Sequence, residues 1–298
     1  MTSYTTSSVI LNSKNLVSNG YNNTLELNLA GSSVDLKDCE VALAKLNMFN
    51  SVFNINSTLY GNNTFSIILP FTNSGVLSYY TLNINLPNGS YNYSDINAYV
   101  QNQLISLGFY LINTQGNYVY PINISSNAVR YACQIDLSTT NTTLPVGWSY
   151  AASGFWSSAG GLPTTGNTPR IVISNAMSSV FGISPATYPA ALTTTKQSVL
   201  SDFAPQISPV QSYFLRCSLV NNVYSAAAPD VLTSFSNEGS SVGDVISINP
   251  AEYAWVSIPD QSVSKIVLTI TDQDLRFVKI EDPKINIQLL IRAKKINK

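Results

Sequence analysis

KIVLTITDQDLRFVKIEDPKINIQLLIR, residues 265–292, holds three β-type runs separated by two acidic clusters. Ile266, Leu268 and Ile270 share one face of the first run, opposite Val267 and Thr269. Ile285, Ile287, Leu289 and Ile291 share one face of the last. A period of two marks a strand with one buried face. LRFVKI, residues 275–280, is predicted as a third strand between them. Asp272, Asp274, Glu281 and Asp282 fall between the runs. A calcium loop opening at Asp272 would need glycine and glutamate where Phe277 and Pro283 stand. Aspartate also favours turns through bonds to its own backbone, so the acids are predicted to be turns.

The same signals recur along the chain. Short β-branched and aromatic runs at 7–17, 24–30, 39–55, 64–71, 79–86, 118–124, 128–137, 170–174, 212–220, 244–250 and 254–258 are separated by Asn, Gly, Ser and Pro. No βαβ alternation appears, which predicts antiparallel sheets. One segment differs: SDINAYVQNQLISLG, 94–108, places Ile96, Tyr99, Val100, Leu104 and Leu107 at helical spacing. Ser94 or Asp95 is its predicted N-cap and Gly108 its stop. A shorter helical turn is predicted around 174–183. The expected fold is all-β: an antiparallel jelly-roll β-sandwich with one amphipathic helix at about 94–107 and an inserted loop or small β subdomain. Residues 1–137 and 210–298 are assigned to the sandwich and 138–209 to the insertion. Within it, 138–168 holds Trp148, Phe155 and Trp156 without one charge. Three large aromatics predict an ordered excursion packed on something, a neighbouring subunit being one candidate.

Charged residues are 10% of the 298, against the usual quarter or so. Charge is depleted in interface cores, so burial against other subunits is one cause; a genome-wide base bias is the other. Between Lys45 and Arg130 the only charged residue is Asp95. Arg292, Lys294, Lys295 and Lys298 form a basic tail, either solvated or facing phosphates. The chain has no histidine, which removes Ser–His–Asp and Cys–His catalysis and the HExxH zinc site. Cys39, Cys133 and Cys217 stand far apart in apolar surroundings and are predicted to be buried free thiols. No catalytic, cofactor or metal residue is assigned, and no enzyme activity is expected, although a carboxylate pair meeting in space stays formally open. Tyr79, Tyr80, Tyr91, Tyr93, Tyr118 and Tyr120 could stack sugars or bases, or serve core and subunit contacts. No apolar run approaches the ~20 residues of a membrane-spanning helix, and no signal-peptide pattern opens the sequence.

The order ALAKLNMFNSVFNI, TFSIILPF, YYTLNINLPNGSYNYSDINAYVQNQL, RIVISNAMSSVFGIS, SYFLRCSLV and KIVLTITDQDLRFVKI…INIQLLI resembles the small jelly-roll capsid proteins of virophages and polinton-like viruses, in particular their penton, or vertex, protein. The resemblance rests on pattern, and apart from RIVISNAMSSVFGIS the 138–209 region does not align with it. It implies a structural protein of the virion, made in the host cytoplasm. Such a protein forms homopentamers at the five-fold vertices of an icosahedral shell and contacts major capsid protein trimers. It also implies a basic tail that faces packaged DNA. A carbohydrate- or receptor-binding sandwich (fibre head or lectin) and a carboxylate-dependent hydrolase are the competing expectations.

Overall fold

The computed structural model describes residues 4–29, 33–223, 225, 228–237 and 239–294. The chain divides into two compact units, Met1–Phe53 with Val210–Lys298, and Asn54–Pro209. Both are built of antiparallel strands, so the protein is all-β with two helices among the described residues.

Eight strands form the main paths of the two large sheets of the first unit, and a short ninth, Val256–Ser257, pairs beside Glu40–Val41. The eight are β1 (Tyr4–Asn12), β2 (Thr24–Asn28), β3 (Cys39–Phe49), β4 (Tyr213–Cys217), β5 (Val231–Phe235), β6 (Val245–Ile248), β7 (Lys265–Asp272) and β8 (Ile285–Lys294). One sheet runs β1-β8-β3-β6 and the other β2-β7-β4-β5. That interleaving of first and last strands is the jelly-roll order, and it closes the sheet register from Tyr4↔Lys294 to Asn12↔Asn286. Leu25, Leu215, Leu268 and Ile270 on one sheet, and Val41, Leu46, Ile287 and Leu289 on the other, are buried. The 39–55 run loses its alternation for a physical reason. Gln288 pairs with Lys45 but Leu289 pairs with Leu43, so Ala44 bulges out. The bulge lets Val41 and Leu43, then Leu46 and Met48, all face inward.

The division differs from the expected one at its first boundary. The jelly-roll is completed by strands on either side of Asn54–Pro209, which enters the sequence between β3 and β4. Residues 54–137, assigned from sequence to the sandwich, belong with 138–209 in the second unit.

In that unit, Thr64–Asn73 and Val76–Asn85 form a hairpin whose two-residue turn, Ser74-Gly75, has positive φ at both positions (50° and 81°). Arg170–Val172 and Thr187–Tyr188 extend the sheet on the other side. Ile122–Asn127, Ala132–Leu137 and Gln197–Leu200 make a second sheet. The helix spans Tyr93–Leu107. Its cap is Asn92 rather than Ser94 or Asp95: Asn92 Oδ1 accepts from the Asp95 amide at 3.0 Å, and Asp95 Oδ2 accepts from the Asn92 amide at 2.9 Å. Ile96, Val100 and Leu104 are fully buried on one face. A second helix, Asn175–Phe181, buries Met177, Val180 and Phe181 and receives the Tyr93 hydroxyl on the Val180 carbonyl at 2.8 Å.

The uncharged excursion packs on its own unit. Trp156 is fully buried and its indole N–H donates to the Pro70 carbonyl at 3.1 Å. Phe155 stacks on Phe109 with ring centres 4.6 Å apart. The junction depends on two glycines that pass each other. Gly108 ends the helix at φ 74°, and a Cβ there would strike the Ser153 carbonyl oxygen. A Cβ on Gly154, at φ 91°, would strike the Leu107 carbonyl. The close approach allows Phe155 N to bond Leu107 O (3.0 Å) and Trp156 N to bond Gly108 O (2.9 Å). Gly154→Ala is therefore expected to cost about 2 kcal/mol or more, from left-handed strain plus the backbone clash. Chemical denaturation reads the loss; an unchanged midpoint would show that the two segments separate without penalty.

Candidate functional site

The acids of 265–292 are turn residues. Asp272 ends β7 fully buried, its Oδ1 accepting from the Asp274 amide (2.9 Å) and the Arg276 amide (2.8 Å). Its Oδ2 accepts from Arg276 Nε at 2.7 Å. Asp274 pairs with Arg276, Glu281 with Lys279, and Asp282 accepts from the Lys284 amide. The strand predicted at 275–280 is not one: only an isolated bridge, Thr271↔Phe277, forms there. Val278 and Ile280 are nonetheless fully buried. Ile280 N bonds to Tyr21 O at 2.8 Å, and Asn22 Nδ2 donates to Ile280 O at 2.8 Å. The alternation is that of an extended segment pinned to a loop instead of a ladder.

Among the described residues no three acids or cysteines stand together as a metal cage, and no helix is long and apolar enough to cross a membrane. All three thiols are free and buried. Burial pushes Cys133 up to about 12 and Cys217 up to about 11; burial also raises Cys39, against a bond from its Sγ to the Lys37 carbonyl. Each thiol is then neutral at physiological pH and a poor nucleophile. The sign for stability follows: the unfolded thiol ionises near 9.0 and the folded Cys133 near 12, so stability is retained below pH 9 and falls as pH rises through that interval. A disulfide reagent at pH 8 is expected to leave Cys133 and Cys217 unmodified until denaturant is added; prompt labelling of either in the native protein would contradict their burial.

Of the basic tail, Arg292 lies in β8, not in a solvated extension. Its Nε bonds Glu40 Oε2 at 2.6 Å, and its guanidinium lies 4.0 Å from the Trp255 ring centre and 4.4 Å from that of Tyr4. Such a sandwiched, paired guanidinium ties β8 to the strands beside it. Lys294 is the last residue of β8. Lys295 and Lys298 lie outside the described residues.

The tyrosines divide. Tyr93 is buried in the core and burial raises its phenol. Tyr80 and Tyr91 are half-buried against the same core. Tyr79 and Tyr118 are exposed.

What the surface offers is uncovered sheet edge. Val76–Asn85 is a terminal strand of its sheet, ten residues long, pairing only with Thr64–Asn73 among the described residues. Every second residue from Leu77 turns its backbone N–H and C=O away from that partner. The strand carries no charge and no proline, the usual guards of an exposed edge. β1, YTTSSVILN, is a second terminal strand of the same kind, pairing among the described residues with β8 alone, with Ile10 exposed. Sequence alternation identified both as strands but held no sign of which would be terminal.

Charge is split between the units. Asp95, Arg130, Asp136, Arg170, Lys196 and Asp202 are all the charged residues of Asn54–Pro209, about half the chain, out of 15 basic and 16 acidic residues in total. Val76, Leu77, Tyr118, Val129, Tyr131, Val146, Leu192 and Phe203 are exposed on that unit.

No protein-family model matches the chain, and no curated protein matches it in sequence. Among solved structures, the chain is similar to the crystal structure of selenomethionine-labelled mavirus penton protein, with 10% sequence identity and a TM-score of 0.45 over 99% of this chain and 100% of that one.

Proposed function

We propose that the protein is a structural, non-enzymatic component of an icosahedral virion, the penton protein that forms homopentamers at the five-fold vertices and meets the surrounding major capsid protein trimers. The observation that carries this is the near absence of charge from Asn54–Pro209. A base-composition bias would thin charge in both units alike, whereas here 6 of the 31 charged residues fall in Asn54–Pro209 and 25 in the jelly-roll unit. Selection for buried surface explains that difference, because interface cores exclude Lys, Glu and Asp. The unguarded edges support the same reading, since a long uncharged edge invites strand pairing unless another subunit covers it. Ring assembly requires two different complementary faces on one chain, and β1 and Val76–Asn85 supply two distinct edges. The pattern resemblance to virophage penton proteins gives the vertex role its specific form. The eight-strand jelly-roll order alone does not, since lectin and cupin domains share it.

Contact with packaged DNA is part of the proposal in a narrower form. Arg292 is committed to Glu40 and Trp255, so the phosphate-facing charges would be Lys294, Lys295 and Lys298. Deleting residues 295–298 together with Lys294→Ala removes all three charges: weaker, salt-sensitive DNA retention supports the role, and unchanged packaging removes it.

Native mass spectrometry of the purified protein tests assembly, with five copies expected and a strict monomer at tens of micromolar sinking the reading. Leu77→Lys with Thr81→Lys charges the Val76–Asn85 edge at two exposed positions. The pair is expected to abolish assembly while leaving monomer stability within about 0.5 kcal/mol. Assembly that proceeds unchanged would show that this edge is not a contact.

A further inference from the structure

A cavity of about 270 Å³ opens within the Asn54–Pro209 unit. One wall is the chain at Tyr120, between the short Tyr118–Val119 strand and Ile122–Asn127; the other is the segment 138–148. Trp148 lines it while packing against the unit's core, and remains half exposed. The indole is thus backed by apolar side chains, and its backbone N–H bonds Pro145 O at 3.1 Å to close the turn that carries it. Ser138, Asn141 and Thr143 stand in the same lining. Asn141 Oδ1 accepts from the Thr143 amide at 2.9 Å. The Asn141 amide N–H groups, the Ser138, Thr143 and Tyr120 hydroxyls and the Trp148 indole N–H have no bond to any of the described residues. No charged side chain lines the cavity.

This donor set selects its ligand by chemistry. Hydroxyls and carboxamides both give and receive hydrogen bonds, as the hydroxyls around a sugar ring require. An indole that borders the cavity while packed on apolar neighbours offers the kind of surface that suits the C–H face of a pyranose, with its N–H as a polar handle. A nucleotide would also stack, but it brings phosphate, and the cavity has no cation to meet it. A sialylated or sulfated sugar is disfavoured for the same reason. The volume falls just below the ~300–1,000 Å³ of sites for drug-sized ligands, which is the scale of one ring. We propose that the cavity seated on Trp148 binds the terminal ring of a neutral glycan, an uncharged hexose or N-acetylhexosamine. The site goes beyond the shell role and does not depend on it.

The test titrates the full chain with the methyl glycosides of glucose, galactose, mannose and N-acetylglucosamine, with free sialic acid as the charged comparison. Saturation-transfer NMR and tryptophan fluorescence report binding. At least one neutral sugar is expected to saturate with a dissociation constant of about 1 mM, the scale for a single small ring. Trp148→Ala should weaken it about tenfold or more through loss of the stacking face. Asn141→Ala, with Thr143→Val, should weaken it about threefold or more without touching the core. If Trp148→Ala does not fold, that second pair decides alone. The proposal is overturned if none of the four neutral sugars saturates, if the folded variants bind as the parent does, or if sialic acid binds equally well. Oligomeric state is measured on the same samples. A sugar-binding monomer would end the penton reading alone, and a pentamer blind to sugars would end this one alone.

Discussion

Trp156→Ala is expected to lower the stability of the Asn54–Pro209 unit by about 3–5 kcal/mol, the cost of removing a fully buried large aromatic. Three losses combine. The cavity left behind cannot close easily, because Trp156 meets Phe109 edge-on at 5.4 Å and Phe109 is itself stacked on Phe155. The Pro70 carbonyl loses the indole N–H it accepts. The clasp between the helix end and the excursion loses the side chain that anchors it. In melting temperature the drop should be about 10 °C for a unit of this size. Trp156→Phe separates the terms, since it keeps most of the volume and loses the hydrogen bond, and should cost less than half as much. A thermal melt in which Trp156→Ala matched the parent would mean that the excursion is not part of the core.

Asp272→Ala is the corresponding probe of the jelly-roll. It removes one carboxylate that serves the Asp274 amide, the Arg276 amide and the Arg276 guanidinium together. Two backbone donors at the end of β7 then lose their acceptor in a turn that is only partly buried. The expected loss is about 3 kcal/mol, since each unsatisfied buried amide costs about 1–3 kcal/mol before water rescues part of it. Asp272→Asn retains an oxygen for the amides and sacrifices the ion pair. Because Arg276 is half exposed, that pair is screened and the loss should be nearer 1 kcal/mol. Equal destabilisation by the two variants, measured by urea denaturation, would show that the charge and not the turn geometry is what matters.

Period-two alternation located β7 and β8, and the apolar spacing of Ile96, Val100 and Leu104 located the helix, because both are local signals. The cap shifted to Asn92, since asparagine, serine and aspartate are all good caps and sequence alone does not choose among neighbouring candidates. What stayed hidden was long-range. A strand looks the same whichever sheet it joins, so nothing in 64–137 said that it lay outside the jelly-roll order. LRFVKI alternates as a strand does, but its bonds go to Tyr21 and Asn22, the latter held at φ 55°. Trp148, Phe155 and Trp156 announced an ordered segment without naming what they would pack on, and a neighbouring subunit was one candidate where the unit's own core was the answer for Trp156. Arg292 read as a tail charge because its partners, Glu40, Tyr4 and Trp255, are distant in sequence. The cavity at Trp148 gave no motif at all: its walls are separate segments that only folding brings together.

The division of charge has a further consequence, in how the particle would respond to its medium. In the proposed shell, contacts made by Asn54–Pro209 would rest on apolar area and uncharged hydrogen bonds, and at 1 M salt the screening length falls to about 3 Å with little there to screen. Excluded salts such as sulfate strengthen burial of that kind. Contacts made by the jelly-roll, which carries most of the charge, would loosen under the same treatment. Ionic strength then separates the two kinds of joint, and vertices held through the uncharged unit should stay closed in brines that open the rest.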